Sequence, residues 1–357
     1  QRVIDALTRI GKLDNVIVHP TLGAENPWHY RNKMQFPVGT AGSEVVIGCF
    51  AQGTHQIIDT DNCLIQAEAN NTIARTVRGI IKDLGISTYD ELTGQGLVRH
   101  VLGRVGTATG EVMVVLVTNG RALPKKEEII NRLREGIPHL ASVVQNVNTK
   151  KTNVILGEET ILLWGKETIT DRLGDFIFNI SALSFFQVNT KQAEVLYNKA
   201  VEYANLTGQE TVIDAYCGTG TISLFLAKKA KKVYGIEVVE AAIRDAERNA
   251  ADNNVNNVEF IVGDAVEVMP RLFKAGIRPE VIVVDPPRAG CDRKVLETFA
   301  AMQPERIVYV SCNPSSLARD LAVLTELGYV TREVQPVDMF PQTFHVECVT
   351  LMSRVEK

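Results

Sequence analysis

The chain has 357 residues, 45% hydrophobic and 22% charged, which is ordinary for a globular protein and enough for two domains with separate cores. Its net charge of −4, with acidic and basic residues balanced over 1–180 and all the excess acid in 181–357, argues against nucleic-acid binding over the whole surface. No apolar run approaches the ~18 residues of a membrane span, and the six cysteines form no C-x-x-C pair. A reducing, cytoplasmic location is expected, with any polyanion held by local patches: Arg31 with Lys33, Arg75 with Arg78, Arg99 with Arg104, Lys150 with Lys151.

In chain order, apolar Val3, Ile4, Leu7 and Ile10 ahead of Gly11 predict a short opening helix. Strands are expected over 33–38 and 45–50, joined by a hairpin turn, and over 56–60. A helix over 66–84 follows, then a hairpin of 97–105 with 111–118, a helix over 125–134, and strands over 142–148, 160–164 and 175–180. This mixture predicts an α+β domain over residues 1–180. From about Ser181 the rhythm changes to strand, turn, helix: helices over 191–204, 221–229 and 240–253, and strands over 211–215, 232–236, 258–262, 281–284 and 307–310. Two last strands, 329–334 and 345–352, should form an antiparallel edge pair. The expectation for 181–357 is a Rossmann-like α/β domain with ligands beyond the strand C-termini.

Chemistry concentrates at those strand ends. Residues 212–221, VIDAYCGTGT, put Gly218 and Gly220 in the first strand-to-helix turn, where the backbone can approach a ligand. Ser223 stands where the dinucleotide fingerprint needs its third glycine, and Glu237 ends the next strand, placed to accept ribose hydroxyls. An adenosine-containing ligand fits both features, whether NAD or S-adenosylmethionine. Asp285, followed by Pro286 and Pro287, is held rigidly toward the pocket, as an enzyme acting on a planar nucleobase would require. Asp264 reads equally as an adenine contact or a loop aspartate. Phe185 can stack on a base or serve as core, and Gln187 can donate to a carbonyl or bind the cofactor.

The run RIVYVSCNPSS, 306–316, delivers Cys312 to a strand end facing a helix that Asn313 caps and Pro314 opens. A thiol there is expected to have its pKa lowered by the helix dipole. In Phe344-His-Val-Glu347, strand alternation would place His345 and Glu347 on one face. Glu347 then reads as a general base of raised pKa or as an exposed edge-strand glutamate.

The motifs FFQVN, DAYCGTGT, GIE, DPPR, VSCNP and HVE, in this order, resemble the RNA uracil-5-methyltransferase family, strongly over 181–357 and more weakly upstream, including Trp28-His-Tyr-Arg31. The resemblance is greatest to the bacterial 23S ribosomal RNA branch, with the Gram-positive dual-site enzymes the nearest type. It implies S-adenosylmethionine as cofactor, Cys312 as nucleophile and Glu347 as base. It also implies Gln187, Tyr216, Glu237 and Asp285 as the donor-binding set, no resident metal, an α+β RNA-binding domain over 1–180, and a monomer that binds RNA but not DNA. Family members often begin with a TRAM β-barrel and carry an iron–sulfur cluster; Cys63 resembles its last ligand, so a cluster would require a longer form of the chain. Transfer RNA is the alternative substrate. A cytosine-5-methyltransferase would place cysteine directly after the first proline of the Asp-Pro run, where Pro287 stands, and the missing glycine disfavours a dinucleotide-dependent oxidoreductase. A non-catalytic RNA-binding module is disfavoured by Cys312, Asp285 and Glu347 occurring together.

Overall fold

The computed structural model describes residues 1–355, and the chain folds into two compact units: residues 26–190, and residues 1–25 together with the chain from Lys191 onward. The opening segment comprises helix α1 (Arg2–Ala6), a π-helical turn over Leu7–Gly11 and strand β1 (Ile17–Val18). The second unit then runs β2 (Lys33–Ala41), β3 (Glu44–Phe50), β4 (Ile57–Asp59), α2 (Glu68–Leu84), β5 (Val98–Val105), β6 (Val112–Thr118), α3 (Lys126–Gly136), β7 (Leu140–Val147) and β8 (Glu159–Gly165). A hairpin of β9 (Ile169–Leu173) and β10 (Phe176–Ile180) completes it.

In this unit the strands form one sheet ordered β4-β3-β2-β5-β6-β7-β8, antiparallel except for β6 with β7. Ile73, Val77, Ile80, Ile81 and Leu84 recur at helical spacing along α2 and pack on it, as their periodicity predicts. Two of the four basic pairs, and Lys150 of a third, are engaged in internal bonds or ion pairs rather than left as free patches. Arg99 and Arg104 are buried, Arg99 donating to the Asn148 and Lys150 carbonyls at 2.6 and 2.9 Å and Arg104 to those of Ala182 and Ser184 at 3.2 and 2.5 Å. Arg75 pairs with Glu68, Arg78 with Asp59 and Asp61, and Lys150 with Glu158. A guanidinium with several donors to satisfy is easily drawn into such structural work.

The remaining elements belong to the other unit: α4 (Thr190–Ala204), β11 (Thr211–Ala215), α5 (Thr221–Ala227), β12 (Lys232–Glu237), α6 (Glu240–Asp252), β13 (Val258–Val262), α7 (Ala265–Lys274), β14 (Val281–Val284), α8 (Arg293–Met302), β15 (Arg306–Ser311), α9 (Pro314–Glu326), β16 (Tyr329–Val337) and β17 (Glu347–Arg354). The sheet order is β1-β16-β17-β15-β14-β11-β12-β13, in which only β17 runs against its neighbours. The chain leaves β11 toward β13 and returns on its other side at β14, so the topological switch point lies between β11 and β14. One face is covered by α1, α7, α8 and α9 through Val3, Met269, Phe299, Leu317 and Leu321, packed on Ile213, Ile282, Ile307 and Tyr309.

The boundary differs from the sequence division at 180/181. Residues 1–25 fold with the C-terminal unit because β1 pairs in parallel with β16, Ile17 beside Glu333, which also removes the antiparallel pair from the sheet edge. Two helices unassigned in the sequence, α7 and α8, had legible signals in the caps Asp264 and Asp292; Pro270 inside α7 reads as a stop and hides the first. Phe299 is fully buried against the sheet. Phe299→Ala is expected to remove about 3–5 kcal/mol of stability, read as a lower urea midpoint for this unit.

Candidate active site

Three strand ends build the crevice. β15 is an unbroken apolar run with every residue from Ile307 to Val310 fully buried, and it stops where Ser311 and Asn313 turn the chain. Ser311 Oγ accepts from Asn313 N at 3.1 Å, and the Asn313 side chain caps α9 by accepting from Ser315 N at 3.1 Å, with Pro314 opening the helix. Cys312 is half-buried between these two turns. The antiparallel register of β15 with β17 pairs Ser311 with Cys348, so Glu347 lies one step further along, beside Cys312. Asp285 leaves the end of β14 on the other side of β15.

These three groups feel one another. Burial, then the Glu347 and Asp285 carboxylates, push the Cys312 thiol above its ordinary value, while Arg288 pulls it down. The lowered pKa expected from the helix end is therefore not realised, because one partial dipole charge is outweighed by desolvation and two carboxylates. Glu347, 8% exposed, has its pKa pushed up to about 8, by burial first and by Asp285 second. Asp285 itself is raised to about 6 by burial. The raised pKa read from the sequence for Glu347 is found, but for a glutamate interior to the sheet, since β17 lies between β15 and β16. His345 precedes β17, so no strand alternation puts it with Glu347; its ring stacks at 4.1 Å on the exposed Phe344.

A cavity of about 390 Å³ opens beyond β11 and β12 and is lined by Tyr216, Glu237, Asp264, Val266, Asp292 and Lys294 among others. Gly218 and Gly220 take left-handed φ of +54° and +77°, and a Cβ on Gly220 would lie 2.7 Å from the Phe260 ring. Glu237 Oε2 accepts from Gly218 N at 3.2 Å and Oε1 from Val239 N at 2.9 Å. Lone pairs remain on both oxygens for further donors. Tyr216 is half-buried with φ +66°, and burial raises its phenol pKa. Asp264 caps α7 at the exposed rim, accepting from Val266 N at 2.9 Å.

The sequence reading missed Asp214, which is fully buried, takes a 2.5 Å bond from Ser223 Oγ on Oδ2 and leaves Oδ1 without a partner. Its pKa is pushed up to about 7, by burial foremost. The signal was a lone carboxylate inside the apolar strand preceding the glycine turn. A buried orphan acceptor here and Glu237 beyond it fit a cationic, ribose-bearing donor. Gln187 lies in the other unit, its carbonyl accepting from Asn32 Nδ2 at 2.9 Å.

A mostly parallel sheet with a glycine-bearing first turn, an acidic second strand end and this crevice has the architecture of a class I methyltransferase. The chain belongs to the tRNA (uracil-5-)-methyltransferase family, whose model matches residues 17–355. Proteins described as uncharacterized RNA methyltransferases are similar throughout: one from Bacillus cereus is 56% identical over all of this chain and 78% of its own length, and one from Halalkalibacterium halodurans is 55% identical over 99% and 77%. The crystal structure of a Pyrococcus abyssi tRNA (uracil-54, C5)-methyltransferase in complex with S-adenosyl-L-homocysteine matches with a TM-score of 0.81 and 32% identity, over 98% of this chain and 81% of that one. The protein is thus an RNA methyltransferase of a family that draws its methyl group from S-adenosylmethionine. No helix among the described residues is long and apolar enough to cross a membrane.

The pKa of Glu347 has a consequence for stability. Unfolded, a glutamate titrates near about 4.3, so between there and about 8 the folded state holds the extra proton and stability falls as pH rises. Glu347→Gln removes that loss. Its Tm is expected to exceed the parent's by more at about pH 8 than at about pH 5, by about 2–4 °C for each kcal/mol relieved, measured by calorimetry at both values.

Proposed function

We propose that the protein methylates carbon 5 of a uridine in 23S ribosomal RNA through a covalent adduct, with Cys312 as nucleophile and Glu347 as base. The observation that carries this reading is the strand register that brings Glu347 alongside Cys312 at the open end of the sheet. Transfer RNA is the second reading, favoured by the stated substrate of the Pyrococcus abyssi neighbour and by the family's description. Tyr216 and Glu237, which line the cavity beyond β11 and β12, hold the methyl donor together with Asp285, and the unpaired oxygen of Asp214 would favour a cationic group nearby. Residues 26–190 serve as the RNA-binding unit. Support comes from Arg31 and Lys33, two basic side chains close enough for their charges to act on each other in an otherwise balanced segment.

Carbon 5 of uracil is a weak nucleophile. Cys312 adds as the thiolate to carbon 6, and the electron pair displaced from the 5,6 double bond makes carbon 5 nucleophilic. Bound S-adenosylmethionine supplies an electrophilic methyl group. Glu347 then takes the proton from carbon 5, the double bond re-forms, and Cys312 leaves carbon 6 with its own electron pair. Burial serves both steps. A desolvated thiolate is a strong nucleophile, and a carboxylate with pKa raised to about 8 is a stronger base than an exposed glutamate.

Nucleoside mass spectrometry after incubation with labelled S-adenosylmethionine and unmodified 23S ribosomal or transfer RNA is expected to find 5-methyluridine in the ribosomal RNA. A product confined to transfer RNA selects the second reading, and no product in either overturns both. Cys312→Ala is expected to abolish product and adduct, whereas Glu347→Gln is expected to accumulate adduct while turnover falls by at least about a hundredfold. Both groups must lose protons to act, so wild-type activity is expected to climb from about pH 6 to about pH 9, in a rate profile taken at fixed ionic strength.

A further inference from the structure

The loop after the Asp285-Pro-Pro run is held from one side by the first two turns of α9. Asn313 Nδ2 and Ser316 Oγ both donate to the Arg288 carbonyl, at 3.2 and 3.1 Å. Arg319 Nη2 donates to the carbonyls of Ala289 and Cys291 at 2.9 and 3.2 Å. Asp320, 1% exposed, accepts from the Cys291 backbone N–H at 2.7 Å and from the Tyr309 hydroxyl at 2.5 Å, and pairs with Arg319 at 2.6 Å. Gly290 makes the close approach possible: its φ is +81°, and a Cβ there would lie 2.5 Å from Asp320 Oδ2 and 2.6 Å from Arg319 Nη2.

Neither Asp320 nor Tyr309 borders the cavity of Tyr216 and Glu237. A carboxylate this buried is normally retained only with its partners satisfied, and here those partners are a backbone N–H of the loop, a phenol of the strand that carries Cys312, and an arginine that holds loop carbonyls. Through it the loop from Asp285, the strand ending at Cys312 and the helix starting beyond Cys312 are tied at one atom group. We propose that Asp320 is a positioning residue for the methyl transfer, locking the 288–291 loop to α9 so that Asp285 and Cys312 keep a fixed geometry toward the uracil ring. This rests on the reading of Cys312 as the nucleophile. A misplacement of about 1 Å is enough to slow an addition step by about a hundredfold, because the attacking atom must sit in near-attack geometry.

Adduct formation isolates that step. Wild-type, Asp320→Asn, Gly290→Ala and Cys312→Ala proteins are mixed with S-adenosylmethionine and 23S ribosomal or transfer RNA transcripts carrying 5-fluorouridine. Carbon 5 then bears fluorine in place of the proton that the base must remove, so the adduct persists and its rate is read on denaturing gels. Calorimetric affinity for S-adenosylmethionine and Tm are measured on the same preparations. Asp320→Asn and Gly290→Ala are expected to form adduct at least about tenfold more slowly than wild type, with donor affinity within about threefold. Wild-type rates in both variants overturn the proposal, and so does a loss of donor affinity and Tm in parallel with the rate, which marks a merely structural role. If Asp320→Asn does not fold, Gly290→Ala decides, since it removes no hydrogen-bonding group. No adduct in the wild type, or an adduct persisting in Cys312→Ala, overturns the nucleophile reading and this proposal with it, a result separate from normal rates in the two loop variants.

Discussion

The site depends on the insertion of β17, antiparallel, between β15 and β16. Seven strands of that sheet share one direction, so their carboxyl ends gather at one edge and can offer only residues from strand ends and the loops after them. A strand running the other way contributes its first residue to the same edge. That residue is Glu347, backed on one side by β15 and on the other by β16, where it pairs with Val337. Burial and acid–base character thus have one cause: the strand position that brings the carboxylate to the crevice also removes it from water.

The carboxylate and thiol are not an ion pair but a group that disfavours charge. Cys312, Glu347 and Asp285 each have a raised pKa; Asp285 raises that of Glu347, and both carboxylates raise that of Cys312. Protons in such a cluster belong to the set rather than to one residue. Addition of Cys312 to a substrate would consume the thiolate charge and leave a neutral thioether. The exposed Arg288 adds the opposing positive charge on the thiol.

Much of the catalytic unit was legible before folding because its central strands are buried and read as apolar, largely β-branched runs ending in distinctive residues. Val281 to Val284 before Asp285, and Ile307 to Val310 before Cys312, are examples. Asn313 and Pro314 announced the start of α9 with a cap and a first-turn proline. The helix α7 was obscured by Pro270, and the opening segment gave no sign that two residues, Ile17 and Val18, would extend the sheet of a distant unit. Asp214 went unremarked because a strand aspartate is noticed only when its surroundings prove dry.

The order of strand-end motifs, the candidate nucleophile and base, and the family they resemble were legible in the sequence itself, since each is written in a short local run whose meaning survives without coordinates. Only the tertiary structure decided the ionisation of Cys312, the loss of Arg99 and Arg104 to internal carbonyls, the exclusion of His345 from the strand of Glu347, and the clamp at Asp320. The physical reason is the same in each case. Burial and charge–charge interaction depend on which groups meet across long sequence separations, and a local pattern carries no record of that.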